Sequence, residues 1–106
     1  MKLLTKELAT QIPKLYQTER VPLPEKLVYA KLFHPASKWT WYVIEYDGND
    51  LCFGLVEGEA TEFGYFSLSE LSQPMGSWKL PAERDLFFRP TMLQDLNIFS
   101  LPGMVA

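Results

Sequence analysis

The amino-acid sequence predicts an α+β domain: a small antiparallel sheet, a meander of three to four strands plus a later strand, with short helices packed on one face. Three observations carry that prediction. Residues 39–46 and 51–56 are aromatic and β-branched runs separated by Asp47-Gly48-Asn49-Asp50, a strong hairpin signature. Helical patterns are short and flank this centre, near residues 5–12, 67–71 and 92–98. An apolar content of 47% in 106 residues supports one core, because a chain of this length buries about two thirds of its extended surface. One domain over residues 1–106 is expected, with 101–106 as a loosely held tail behind Pro102 and Gly103.

Along the chain, Thr5 is placed to cap a helix whose Leu4, Leu8 and Ile12 form one apolar stripe at spacing four. Pro13 ends it or opens a second turn containing Leu15 and Tyr16. Pro22 and Pro24 make residues 18–25 an extended connector. Residues 26–33 (KLVYAKLF) read as a first strand, nearly continuous in apolar character and so suited to a central position. His34-Pro35 interrupts it. In the next strand, alternation puts Trp39, Trp41, Val43 and Glu45 on one face, and Thr40, Tyr42, Ile44 and Tyr46 on the other. Neither face is plainly polar, so at least one must be covered. Gly54 either makes room for an aromatic ring or marks a bulge. Residues 57–62 (EGEATE) read as a charged loop, and 63–66 as a third strand. Ser67-x-x-Glu70 fits a capping box for a short helix with Leu68 and Leu71 inward. A strand-like run follows at 86–88, then a last helix at 92–98 with Met92, Leu93 and Leu96 on one side.

Charge and cysteine content narrow the function classes. Net charge is -3, and the ten Lys and Arg residues are scattered without a run, the opposite of what phosphate neutralisation asks for; nucleic acid is not the expected partner. The single cysteine, Cys52, has no internal disulfide partner and points to a reducing, cytoplasmic setting. The first seven residues meet charge too early for a signal peptide, and no apolar stretch approaches the ~20 residues that span a bilayer.

Several blocks match a known family: Lys31-Leu32-Phe33-His34-Pro35, Thr40-Trp41, Phe53-Gly54-Leu55, residues 62–71 (EFGYFSLSEL) and residues 80–88 (LPAERDLFF). Together they span most of residues 26–95, and the two later blocks are the more specific. On these residues the chain resembles an uncharacterised bacterial family, domain of unknown function 2958. The resemblance implies a whole-chain domain and a mobile-element setting. No activity, cofactor or catalytic residue is assigned to that family, so it implies no chemistry.

Two groups of residues are candidates for function. Glu83, Arg84 and Asp85, with Glu70, form the most suggestive polar cluster: carboxylates sharing a strand face can bind a divalent metal or divide acid and base roles. The plainer reading is a solvated strand entrance with Arg84 bridging to Glu62 or Glu70. The second group is a docking surface of Trp39, Trp41, Tyr42, Tyr46 and Trp78 with an acidic rim of Glu57, Glu59 and Glu62, which Asp47 and Asp50 would extend. Trp and Tyr are over-represented where proteins meet, although most of these rings could equally fill the core. Trp78, in a Gly76-Ser77-Trp78 loop, is the ring best placed to reach solvent.

His34 is the only histidine, which nearly excludes a zinc site and favours a hydrogen-bonding loop role. Cys52 lies among apolar residues, where a thiol is usually inert. No metal and no cofactor is expected. The leading expectation is therefore a small acidic cytoplasmic protein-interaction domain, an accessory or anti-defence protein of a mobile element. The alternative is a small hydrolytic or metal-assisted enzyme using Glu70, Glu83, Asp85 and Arg84.

Overall fold

A computed structural model describes residues 2–96 of the chain. Its first helix begins where the sequence places a cap: the Leu8 amide donates to the Thr5 hydroxyl at 3.1 Å, opening α1 (Lys6–Gln11). Leu4, Leu8 and Ile12 all reach the core along one stripe. Beyond Pro13 the chain makes tight turns, Tyr16 adopting a φ of 71°, and then a 3-10 turn at Leu23–Glu25 rather than a fully extended connector.

The expected strand at 26–33 is split. β1 (Leu27–Val28) and β2 (Ala30–Phe33) are separate because Tyr29 donates its amide to the Val43 carbonyl while the residues before it pair elsewhere. Downstream lie β3 (Thr40–Tyr46), β4 (Leu51–Glu57), β5 (Thr61–Ser67), helix α2 (Leu68–Leu71), β6 (Glu83–Arg84) and β7 (Thr91–Met92). Five strands form an antiparallel sheet in the order β5-β4-β3-β2-β6, and β1 pairs with β7 in a two-stranded sheet. The fold is α+β.

Three further expectations are corrected. The charged loop at 57–62 is shorter, because Glu57 and Glu62 belong to strands that pair along their whole length, leaving residues 58–60 to turn the corner. The run at 86–88 is not a strand. Glu83 and Arg84 take that role, since the Asp85 side chain accepts the Phe87 amide at 2.9 Å and folds the chain into a turn. In place of a helix at 92–98, Met92 pairs with Leu27 and a 3-10 turn at Leu93–Asp95 follows. The remainder of that expected helix, and the tail at 101–106, lie outside the described residues.

Both faces of the sheet are covered. On the first, Leu3, Leu4, Ile12 and Leu71 from the helical segments pack on Ala30, Leu32, Trp41, Val43, Cys52 and Phe66. On the second, Val28 and Leu93 pack on Tyr42, Ile44 and Leu55, with Phe88 and Leu96 beside them. The fully buried Leu32, Ile44, Leu55 and Leu93 each stabilise the fold by roughly 1.5–3 kcal/mol relative to exposure. Among the described residues no helix is long and apolar enough to cross a membrane.

The expected alternation of β3 fails after Val43. Val43 pairs with Gly54, but Glu45, not Ile44, pairs with Phe53. Ile44 is an extra residue, a β-bulge. Glu45 therefore joins the face of Tyr42 and Ile44, and Tyr46 moves to the face of Trp41 and Val43, the reverse of the sequence expectation. Gly54 is the residue that permits the bulge, because a Cβ there would lie 1.7 Å from the Tyr42 carbonyl oxygen. Gly64, its neighbour across β4 and β5, has nothing but its chain neighbours within 4 Å of the same point. Gly54→Ala should lower unfolding stability by at least ~2 kcal/mol in urea titrations, since the clash is with backbone. Gly64→Ala should change it by less than ~1 kcal/mol; equal effects at the two positions would contradict this account of the bulge.

Candidate functional site

A cleft of about 450 Å³ lies at the end of the sheet where β2 hands over to β3. Its floor and walls are mainly apolar: Trp39, Trp41, Met75 and Trp78, with His34 and Gly76 beneath. Trp41 is fixed in β3 and buried. Trp39, just before β3, stacks on it with ring centroids 6.0 Å apart and planes inclined by 25°. The back of the Trp39 ring rests on Gly58, where a Cβ would come within 2.2 Å of it. Trp39 stays 36% exposed and Trp78 71% exposed, so the cleft presents aromatic surface to solvent.

Trp78 is carried on a hairpin that His34 holds in place. Met75 and Leu80 exchange backbone hydrogen bonds of 3.0 and 3.2 Å, and the loop between them closes through Gly76 and Lys79, both at positive φ (76° and 54°). The His34 ring is 5% exposed; its Nδ1 accepts the Ala36 amide at 3.3 Å. Nε2 lies 3.0 Å from the Met75 carbonyl and 3.1 Å from the Leu80 carbonyl. Carbonyls only accept, so Nε2 carries the proton and donates to both. The lone histidine is thus a clasp across the hairpin's base, in the hydrogen-bonding loop role its sequence context favours.

Of the expected docking residues, Trp39, Trp41 and Trp78 meet in this cleft. Tyr42 does not. It lies buried on the opposite face, its hydroxyl donating to Glu57 Oε1 at 3.1 Å, and burial, then the Glu57 carboxylate, pushes its phenol well above the usual range. Tyr46 shares the face of Trp41 but sits at the other end, in the row Tyr46–Cys52–Phe66. Burial raises its phenol too, followed by the charges of Cys52, Asp47 and Asp50. Glu59 and Glu62 are exposed. Cross-strand pairing places Glu62 in the row of Val56 and Trp41, on the cleft's own face.

Asp47 and Asp50 do not extend that rim, because the turn holding them is at the opposite end of the β3–β4 hairpin. Each has a structural task. One Asp47 oxygen accepts the amides of Asn49, Asp50 and Leu51 at 2.7, 2.8 and 3.1 Å. Asp50 accepts the Ser69 amide at 2.7 Å and the hydroxyls of Ser67 and Ser69, tying the start of β4 to the start of α2. Ser67 in turn caps α2 by accepting the Glu70 amide at 3.3 Å.

The carboxylate cluster is partly assembled. Arg84 pairs with Leu32 and Glu83 with Phe33, so Glu83 and Asp85 fall on the second face and line a groove with Lys31, Phe33, Thr40 and Phe87. Arg84 turns to the first face, donating from Nη1 to the carbonyls of Lys2 and Leu3 at 2.9 Å each. Glu70 is exposed on α2 and does not line that groove. Among the described residues no cluster of three or more His, Cys, Asp or Glu side chains is placed to hold a metal ion. Cys52 is fully buried; burial, then Asp47 and Asp50, pushes its thiol up to about 12, away from the thiolate form that a nucleophile needs.

Sequence reasoning missed five residues at these two surfaces. Gly58 as the seat of Trp39 has no local signal beyond its turn position. Met75 and Gly76 join the cleft only through the hairpin's closure. Leu86 and Phe87, 63% and 93% exposed, were expected inside a strand.

Backbone amides and hydroxyls hold the carboxyls of Asp47 and Asp50 below the usual carboxylate range. A depressed folded-state value stabilises the fold above the unfolded value of about 4 and ceases to do so as pH falls through the lower folded value. Thermal melts should therefore decline below about pH 4, and Asp50→Asn should lower stability at pH 7 while flattening that acid limb. An acid limb unchanged by the substitution would contradict the assignment.

The profile of one family, described as "Protein of unknown function (DUF2958)", matches residues 3–99. No curated protein and no solved structure matches the chain. The match covers nearly the whole sequence, the cleft, the His34 clasp and the bulged hairpin included: the chain belongs to the DUF2958 family.

Proposed function

We propose that this protein is a small acidic interaction domain that grips a basic segment of another protein, seating one of its apolar side chains in the tryptophan cleft. The observation that carries the reading is the convergence of three indole rings, two of them solvent-accessible, on one concave surface. Rings of this kind supply large contact area at low entropy cost and dominate binding energy where they occur. Charge supports a basic partner. Net charge is -3, and exposed Glu62 lies in the row of Trp41, on the cleft's face, with exposed Glu59 in the turn that follows β4. A cytoplasmic accessory or anti-defence role on a mobile element, blocking a basic surface of its target, is compatible with this chemistry and belongs to the same proposal.

The enzymatic reading draws less support. Asp85 is engaged in its own turn, Arg84 in main-chain carbonyls, and Glu70 lines a different surface.

Selection of displayed random peptides on the immobilised protein tests the reading. Enriched peptides should pair an aromatic or aliphatic anchor with Lys or Arg. Trp78→Ala, at an exposed position, should weaken them by at least ~10-fold without unfolding the domain, and Glu62→Lys should weaken them more at low salt than at high. Peptides that bind Trp78→Ala as well as the parent chain, or no enrichment at all, would overturn it.

A further inference from the structure

The far edge of the sheet is formed by β5, and among the described residues the backbone groups of 62–66 have no backbone partner beyond β4. Edge strands are normally blunted by proline, lysine, a bulge or a covering element. β5 (TEFGYFS) contains neither proline nor lysine, and its register with β4 runs unbroken for seven pairs. An edge so regular is a template for another strand.

We propose that the occupant is a second copy of this chain, its β5 adding antiparallel to the first about a two-fold axis through Gly64, so that two five-stranded sheets become one of ten. The sequence of the strand is self-complementary in that register. With Gly64 on the axis, Phe63 faces the second copy's Tyr65 and Tyr65 its Phe63. On the same face Phe53 already stacks with Phe63 (centroids 6.2 Å, 16°) and leans on Tyr65 (5.2 Å, 57°). Pairing would run that aromatic row across the axis, and cross-strand aromatic pairs are among the more stabilising in sheets. Tyr65, now 51% exposed, would be covered.

Charge agrees. Glu62, the strand's one ionisable carboxylate, faces the second copy's Phe66 and not another Glu62. Gly64 brings no side chain to the axis, where two identical groups would collide, and the space around its Cβ position is open. A two-fold contact of this kind is closed, making a dimer and no fibre. No residue lining the tryptophan cleft belongs to β5; Glu62 of the acidic rim does, so substitutions at Gly64, which takes no part in the docking proposed above, distinguish the two associations.

Sedimentation equilibrium of the whole chain over a concentration series tests it. The parent chain should dimerise reversibly. Gly64→Lys should fold, since its side chain meets open space, and should weaken the dimer by ~10-fold or more, because two like charges then face each other at the axis. Gly64→Glu should do the same, and an equimolar mixture of the two should recover association as a heterodimer. If Gly64→Lys fails to fold, Tyr65→Lys, which places charge in the aromatic row, should dissociate the dimer instead. A parent chain that stays monomeric, a dimer indifferent to these substitutions, or Lys and Glu variants that do not recover each other would each overturn the proposal.

Discussion

The extra residue in β3 organises the rest of this structure. A strand of period two presents one set of side chains to each face, and a single inserted residue exchanges the faces beyond it. Here the exchange at Ile44 turns the Glu45 carboxylate away from the helix-covered core, to the face where the chain following Pro13 lies. It also brings Tyr46 over to pack beside Cys52. Without it Glu45 would lie in a row with Val43 and Trp41. The backbone approach that the bulge requires leaves Gly54 as the only residue type the facing position accepts.

Buried polar side chains then fix the irregular segments to this frame. Glu45, 4% exposed, accepts the amides of Tyr16 and Thr18 at 2.8 and 3.0 Å, and the Thr18 hydroxyl as well. Lys26, also buried, reaches the same threonine from the other side, its ammonium donating to the Thr18 carbonyl and, at 3.0 Å, to the Thr18 hydroxyl. His34 does for the Trp78 hairpin what Glu45 does for the 14–20 turns. No buried side-chain nitrogen or oxygen among the described residues lacks a hydrogen-bond partner. Segments with little regular structure are thereby held by side chains whose loss would leave a partner unsatisfied, which is costlier than losing the bond alone.

What could be read from the sequence follows the range of the forces involved. Thr5 and Ser67 cap their helices, and Asp47 to Asp50 turn the hairpin, because these are interactions among residues a few positions apart. The helix stripe of Leu4, Leu8 and Ile12 is likewise local. Alternation in β3 could not be followed past Val43, because the bulge is decided by the fit of Gly54 opposite, which only pairing brings near. Residues 86–88 look like a strand by composition, but the Asp85 carboxylate captures the Phe87 amide, and turn chemistry overrides β-propensity. In the cleft, the tryptophans could be singled out by residue type. Their meeting depends on His34 contacting carbonyls more than forty residues away, and on Gly58 fitting beneath Trp39. Tyr42 and Tyr46 share that composition yet serve the two cores.

Distances across the β3–β4 ladder, measured by nuclear Overhauser effects on the labelled protein, test the central claim most directly. The account predicts cross-strand contacts of Val43 with Gly54, Glu45 with Phe53 and Tyr46 with Cys52, together with Glu45 side-chain contacts to Thr18. An uninterrupted ladder, with Ile44 opposite Phe53 and Glu45 opposite Cys52, would contradict it.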